Sequence, residues 1–150
     1  MIYKLHGGPV RCLHWFDDDS GFISGGWDGN VFCWDLFPDK TKDDKEVDGP
    51  YMIYSLKNFQ FACVANHPDS KTKIYAAGID KTIKTIEQVE DKDKKQEKKT
   101  ELMMTYEAGV NISQIQMLHG GRALFAGVAE NDKPGSIQVL NQKFNKIYEV

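Results

Sequence analysis

Residues 10–36 read VRCLHWFDDDSGFISGGWDGNVFCWDL, and this stretch decides the fold. It divides into three short segments rich in aromatic and β-branched residues, which are separated by the polar run DDDS and the tight turn WDG. Side chains alternate with a period of two, most clearly from Val31 to Trp34, which is typical of a half-buried β-strand. Nothing in the chain sustains the i, i+3, i+4, i+7 apolar stripe of an amphipathic helix. The stretch therefore predicts a meander of three antiparallel strands.

The same order of segments recurs twice more, at a spacing of 51 residues. Val10, Phe61 and Ile112 are counterparts that each open a first strand. A second strand ending in glycine follows in each copy (FISGG, YAAG, LFAG), and then a tight turn and a third alternating strand. A fourth strand comes from PYMIYSL, ELMMTY and KIYEV. Four-stranded antiparallel units in series are the blades of a β-propeller, so we predict an all-β, partial propeller.

The repeat divides the chain into three blades, over residues 6–57, 58–109 and 110–150. Residues 1–5, MIYKL, are predicted to be the outer strand of a preceding blade, for thirteen strands in all. Closed propellers typically have about four to eight blades, so three blades leave an apolar sheet face open at each end. We expect the missing blades to come from a longer parent polypeptide or a neighbouring chain. The alternative is a small three-bladed domain that tolerates its open edges.

Composition excludes several function classes. The 150 residues carry 22 acidic and 19 basic side chains, so no excess positive charge favours binding to a phosphate backbone. The N-terminus MIYKLHGGPV has no apolar signal-peptide core, and the longest apolar stretch, 123–129, is far shorter than the ~20 residues of a membrane helix. Cys12, Cys33 and Cys63 form no C-x-x-C pair, which fits a reducing compartment. We expect an intracellular, cytoplasmic protein that binds neither nucleic acid nor membrane.

The first copy also has polar and aromatic residues at characteristic positions. His6 precedes the first strand, Asp28 lies in the turn GWDG, and Trp34-Asp35 closes the third strand. Together these positions resemble the WD-repeat family. The period is longer than the ~40 to 45 residues of that family, and two charged insertions, at 39–48 and 87–101, explain the difference. Mixed-charge runs of this kind are expected to be solvated loops.

The resemblance implies a hydrogen-bond network in the first blade. Trp34 would donate its indole N–H to Ser24, and Ser24 would contact His6, whose other ring nitrogen Asp28 holds. The second copy retains Asp80 six residues before Ile86, as Asp28 precedes Trp34, but Ile86 cannot donate a hydrogen bond. The network is expected to stabilise the fold and to take no part in catalysis.

Two large apolar residues occupy the tips of turns in the first two blades. Trp27 immediately precedes Asp28, and Ile79 immediately precedes Asp80. Tryptophan is enriched at the energetically dominant positions of protein interfaces, so we predict a protein-binding surface there. The alternative is that Trp27 folds over the neighbouring blade.

Motifs for chemistry are absent from the sequence. It contains no G-x-x-x-x-G-K-[ST], G-x-S-x-G or H-E-x-x-H. His14, His67 and His119 have no second histidine or cysteine at metal-ligand spacing. We therefore predict no catalytic, cofactor-binding or metal-binding residue.

One branch of the WD-repeat family, the axonemal proteins of cilia, resembles the chain most. The resemblance rests on residues 10–36, on KIYAAGIDKTIKTI and on NISQIQMLHGGRALFAG. It implies a non-enzymatic structural component of the ciliary axoneme, near inner dynein arms, which supports the regulation of motility. Its partners would be other axonemal proteins, including a chain that supplies or covers the missing blades.

Two alternatives remain open at this point. One is a cytoplasmic WD-repeat scaffold of another multiprotein complex. The other is a propeller enzyme, which would need convergent histidine and carboxylate groups at the inner strand ends. The sequence offers no such set.

Overall fold

The computed structural model describes residues 4–37, 49–91, 97–118, 122–127, 134–141 and 143–150. These residues form twelve β-strands and no helix, and the strands make three antiparallel sheets of four. The strands of the first sheet are β1 (Val10–Trp15), β2 (Gly21–Gly26), β3 (Asn30–Asp35) and β4 (Met52–Ser55). Those of the second are β5 (Phe61–His67), β6 (Ser70–Gly78), β7 (Thr82–Glu90) and β8 (Lys98–Glu107). Those of the third are β9 (Ile112–Leu118), β10 (Arg122–Gly127), β11 (Ser136–Leu140) and β12 (Lys146–Glu149).

The first strands of the three sheets begin at Val10, Phe61 and Ile112, the residues that define the 51-residue repeat. Within every sheet the chain passes through the strands in sequence order, and each strand is antiparallel to the next. Each sheet is therefore a meander with the topology of a propeller blade. The prediction of an all-β, open, partial propeller is confirmed.

The structure describes only part of the extra strand predicted over residues 1–5. Residues 1–3 lie outside the described part of the chain, and Lys4 and Leu5 belong to no strand. That strand and the blade boundaries therefore stay predictions.

Two apolar clusters lie between the sheets. The cluster between the first and second sheets includes Ile23, Cys33 and Met52 on one side and Val64 and Ile86 on the other. The cluster between the second and third sheets is built from the following residues of both: Cys63, Ala65, Tyr75, Ala77, Ile83, Ile112, Ile115, Leu140 and Phe144. Because side chains alternate along a strand, the second sheet places one set on each neighbour and is buried on both faces. The sheets thus stack face to face, as successive blades do.

The insertion at 87–101 was predicted to be a solvated loop, and the structure corrects this. Glu87 lies opposite Glu101, and Glu90 lies opposite Lys98, so most of the insertion extends the β7–β8 hairpin. The facing charges are mixed, because Glu90 and Lys98 are an opposite pair whereas Glu87 and Glu101 are a like pair. The extension therefore follows from the ladder that β7 and β8 already form in the blade, which composition does not show. Residues 92–96 lie outside the described part.

Two other features of the sequence also fall outside the described residues. They are the insertion at 39–48 and residues 130–133 of the third-copy turn.

Candidate functional site

The structure brings together the four residues of the network predicted for the first blade. The Trp34 indole N–H donates to Ser24 Oγ at 2.9 Å. His6 Nε2 lies 2.9 Å from the same oxygen, and His6 Nδ1 lies 3.0 Å from both carboxylate oxygens of Asp28. Trp34 and Ser24 are buried on adjacent strands, β3 and β2. A chain of hydrogen bonds thus runs from the sheet interior to the turn.

The carboxylate of Asp28 sets the direction of donation in this chain. A carboxylate can only accept, so His6 Nδ1 donates its hydrogen to Asp28. The Ser24 hydroxyl, which accepts from Trp34, has one hydrogen of its own and donates it to Nε2 when that nitrogen carries none. Asp28 also accepts from the Gly7 N–H at 2.8 Å and the Asn30 N–H at 3.1 Å. The segment before β1 is thereby tied to the β2–β3 turn.

Electrostatics at Asp28 favour the carboxylate. Burial of Asp28 acts to raise its pKa, but hydrogen bonds from Asn30, His6 and Gly7 together outweigh it and hold the pKa below its usual value. Asp28 is therefore ionised at neutral pH, as its role as an acceptor requires.

The tight turn that carries Asp28 depends on Gly29. Its φ is +79°, a left-handed conformation that residues with a side chain rarely adopt. A Cβ on Gly29 would also lie 2.1 Å from the Leu56 carbonyl oxygen. Glycine is the residue that fits, and it allows Asp28 to cap the turn by accepting from Asn30.

The second sheet replaces the network with an ion pair between a buried lysine and an exposed aspartate, which sequence reasoning missed. Lys84 is 5% exposed, and its ammonium group donates to Asp80 and, at 2.6 Å, to Thr82 Oγ1. The ammonium nitrogen also lies 4.6 Å from the centre of the Phe59 ring, a cation–π distance. Asp80, which the sequence placed in a network, thus stabilises its turn through a different partner.

A signal for this ion pair was present in the sequence. Lys84 follows Asp80 by four residues in the strand TIKTI, at the position that Phe32 holds in the first copy. A single lysine at an inward-facing strand position needs a buried partner, and the aspartate of the turn was available.

Polar contacts also join the first two sheets. His14 Nε2 lies 2.7 Å from Asn66 Oδ1, although the sequence analysis gave His14 no specific partner. Lys71 forms an ion pair with Asp18 at 2.9 Å. Hydrogen bonds from Ser20 and Lys71 lower the pKa of Asp18 to about 2. These contacts fix the position of one sheet relative to the other.

The structure holds Trp27 and Ile79 at equivalent turn tips. The Trp27 N–H donates to the Pro9 carbonyl at 3.0 Å, and the Ile79 N–H donates to the Gln60 carbonyl at 3.2 Å. The two residues are 48% and 56% exposed. Each tip is thus fixed by the segment that enters its own blade, and its side chain remains accessible.

A cavity of about 380 Å³ lies where the first strands of the three sheets converge. Its lining includes Arg11, Cys12, Cys63 and Gln114. Burial raises the pKa of Cys12 to about 11 and that of Cys63 to about 12. Both thiols are therefore protonated at neutral pH, and a thiol is a much weaker nucleophile than a thiolate.

The described residues show neither a metal-binding cluster nor a membrane-spanning helix. Among them, no three His, Cys, Asp or Glu side chains converge in a way that could hold a metal ion. The same part of the chain has no helix with the length and apolar character needed to cross a bilayer.

Comparison with known sequences bears on the Trp34 network. Residues 1–35 match the family model described as WD domain, G-beta repeat. This chain carries a WD repeat. The matched residues include all four members of the network.

Solved β-propeller structures share the fold of this chain. The β-propeller domain of Cps50 (Swd1) from Myceliophteria thermophila matches with a TM-score of 0.67 and 15% identity, over 98% of this chain and 43% of that one. The WD40 repeats of RRP9 match with a TM-score of 0.69 and 14% identity, over 100% of this chain and 41% of that one. At such identities the likeness establishes the propeller fold alone.

Curated relatives of the WD-repeat chain have a common name. Cilia- and flagella-associated protein 57 of Mus musculus is 30% identical over 131 residues, or 85% of this chain. Cilia- and flagella-associated protein 57 C of Tetrahymena thermophila is 29% identical over 133 residues, or 87% of this chain. The chain spans 9% of the length of each of these relatives.

Proposed function

We propose that the chain is a non-catalytic WD-repeat scaffold of the ciliary axoneme. The observation that carries this proposal is the likeness to Cilia- and flagella-associated protein 57 over 85% of the chain. The finer proposal, which rests on the same likeness, is a position near inner dynein arms, where the scaffold supports the regulation of motility. Its partners are other axonemal proteins.

The chemistry of the described residues supports a role without catalysis. His6 and Asp28 bond to each other and to residues that hold the fold, and His14 contacts Asn66. The thiols of Cys12 and Cys63, which line the cavity between the first strands of the three sheets, are protonated. Nucleophilic catalysis by cysteine needs a thiolate, which these thiols with raised pKa values do not supply. Both ring nitrogens of His6 are occupied by Ser24 and Asp28. We propose no cofactor for this part of the protein.

The surface proposed to bind partners consists of the Trp27 and Ile79 turn tips. Both side chains are accessible, and the backbone of each tip is fixed by a hydrogen bond. Little conformational entropy is therefore lost in the backbone when a partner covers them. Tryptophan at the centre of such a contact contributes strongly to binding.

Fractionation of cilia tests the proposed location. The protein is tagged in ciliated cells, the ciliary membrane is removed with detergent, and the protein is measured in the axonemal pellet and the supernatant. We expect it in the pellet, and release by high salt together with inner dynein arms would support the finer proposal. Complete release with detergent-soluble protein would contradict the axonemal location and favour a cytoplasmic scaffold.

Substitution tests the proposed binding surface in the same cells. Trp27→Ala with Ile79→Ala should lower retention in the axonemal pellet without changing the amount of folded protein. Phe37→Ala is the matched control, since Phe37 is also an exposed aromatic residue (78%) but follows the end of β3 that lies away from the turn tips. Equal retention of the double variant and the unmodified protein would eliminate the turn tips as the binding surface.

A further inference from the structure

The outer edge of β8 differs from the outer edges of the other two sheets. β8 has ten residues, whereas β4 and β12 have four each. Within the described residues no strand pairs with this edge, because β8 ends the order of its sheet. Three consecutive apolar residues lie in its middle, with Leu102 45%, Met103 52% and Met104 37% exposed. A long apolar edge of this kind is a template for pairing with another strand.

A bulge in β8 sets which backbone groups face outward. Thr85 lies opposite Met104 and Ile86 lies opposite Leu102, so Met103 has no opposite residue on β7. On one side of the bulge the Asp91 N–H donates to the Glu97 carbonyl. On the other side the Ala108 N–H donates to the Lys81 carbonyl.

Backbone hydrogen bonds of an antiparallel strand alternate between its two edges. The two bonds show that the backbone groups of Glu97 and Ala108 face β7. Alternation from each of them towards the bulge gives the β8 residues whose backbone groups face away from β7, here called the outward residues. They are Lys98, Thr100 and Leu102 before the bulge and Met103, Thr105 and Glu107 from the bulge onward.

The outward residues of one β8 match those of a second β8 that runs in the opposite direction. When a second β8 runs antiparallel along the edge, Leu102 of one copy meets Met103 of the other, and Thr100 meets Thr105. In the same register Lys98 meets Glu107. Every outward residue therefore faces another outward residue. In a strand without a bulge this register would place outward residues opposite inward ones, and the extra residue of the bulge removes that mismatch.

The charges at the two ends of this edge are available for pairing. Lys98 and Glu107 are both exposed, and neither forms an ion pair within the described part of the chain, although Lys98 lies opposite Glu90 on β7. Opposite charges that face each other across two strands stabilise the pair, as facing threonines and large apolar side chains also do. A two-fold axis forms each contact twice.

We propose that two copies of this protein associate edge to edge through β8. The two second sheets join into one antiparallel sheet of eight strands, with the two-fold axis between Leu102 and Met103. The contact lies on the outer edge of the blade, so it leaves the faces that stack on neighbouring blades free. It also leaves the Trp27 and Ile79 tips free.

Charge reversal with rescue tests this pairing in the full chain. Sedimentation equilibrium of the unmodified protein should show a monomer–dimer equilibrium. Glu107→Lys and Lys98→Glu should each weaken the dimer roughly tenfold or more, because each converts two attractive pairs into two repulsive ones. The double variant K98E/E107K restores both pairs with reversed polarity and should recover the affinity. Lys57→Glu, an exposed charge change between the first two sheets, is the control and should leave it unchanged.

Several outcomes would overturn the proposal. One is a monomer at all concentrations, and another is self-association that neither single reversal alters, as expected if the open sheet faces associate instead. Weakening by the single variants without recovery in K98E/E107K would also contradict the pairing. Far-UV circular dichroism of each variant excludes unfolding as the cause of a loss.

Discussion

Trp34, Ser24 and His6 show how one buried donor determines its neighbours. A buried indole N–H needs an acceptor, the accepting hydroxyl needs an acceptor of its own, and the imidazole then needs the carboxylate of Asp28. In the second sheet, Ile86 replaces the tryptophan and the requirement disappears. Asp80 bonds to Lys84 instead. The same turn is thus held by a neutral donor chain in one blade and by an ion pair in the next.

Removal of the indole donor measures how much the network contributes to the free energy of unfolding. We expect Trp34→Phe to lower the free energy of unfolding by about 1–3 kcal/mol, because Ser24 loses a partner inside the sheet. Trp15→Phe is the matched control, since the indole N–H of Trp15 bonds to Asp19 at the surface. It should cost less than about 0.5 kcal/mol. Urea denaturation of both variants provides the measurement, and equal losses would show that the network adds nothing.

The lowered pKa of Asp28 predicts a pH dependence of stability. A carboxyl group whose pKa is lower in the folded state stabilises the fold above its unfolded pKa of about 3.9. That contribution is lost as the pH falls through the lower folded value. We expect the stability difference between the unmodified chain and Asp28→Asn to be constant from pH 7 to about 5 and to shrink below about pH 4. A difference that grows on acidification would contradict the cause given for the lowered pKa.

At the scale of elements, the β7–β8 hairpin shows that amino-acid composition alone does not distinguish a solvated loop from an extended hairpin. Residues 87–101 contain six acids and five lysines, a mixture that in isolation favours a solvated loop. The start of β7 and the end of β8 are already paired in the blade, so each further residue extends an existing ladder without the cost of nucleating one. Gln88 also donates to the Tyr51 carbonyl at 3.0 Å, which attaches the hairpin to the first sheet.

Amide hydrogen exchange distinguishes the hairpin from a loop. The N–H groups of Lys99 and Glu101 face β7, so we expect them to exchange much more slowly than the unfolded chain does. The N–H of Lys57, in the segment between β4 and β5, is a suitable fast-exchanging comparison. Exchange of Lys99 and Glu101 at the unfolded rate would show that the insertion is a loop in solution.

At the scale of the molecule, the two end sheets each have one face that no other described sheet covers. On the first sheet, Leu13 lies opposite Ser24, on the face away from the second sheet, and is 68% exposed. On the third sheet, Ile137 and Tyr148 are about half exposed or more. Large exposed apolar areas of this kind mark contact sites, which is consistent with the proposed role as a scaffold.

The counterparts Leu13 and Val64, 51 residues apart, test whether these faces are covered in the full chain. Val64 is 4% exposed, so Val64→Ala should cost about 1–3 kcal/mol of unfolding free energy. Leu13→Ala should cost under about 0.5 kcal/mol, because Leu13 is largely solvated. Thermal or urea unfolding of the two variants gives the comparison. Similar losses would mean that another part of the protein covers Leu13 in solution.

How much the sequence predicts depends on whether a signal is local. The strand order and the turn at Asp28 follow from the residues within one repeat, whereas the partners of Trp34 were predicted from the resemblance to the WD-repeat family. The ion pair of Lys84 could have been found from the residues within its own repeat. The contact between His14 and Asn66 could not, because these residues are in different blades and meet only when the sheets stack.

The amino-acid sequence alone predicts a series of four-stranded units, because strand alternation and turn glycines act over a few residues, and its resemblance to a known family predicts the hydrogen-bond network of the first unit. The tertiary structure decided which sheet is buried on both faces, that the charged insertion extends a hairpin, and which edge of β8 stays open. These outcomes depend on which strands lie next to each other, and every such neighbour across a blade boundary is far away in the chain.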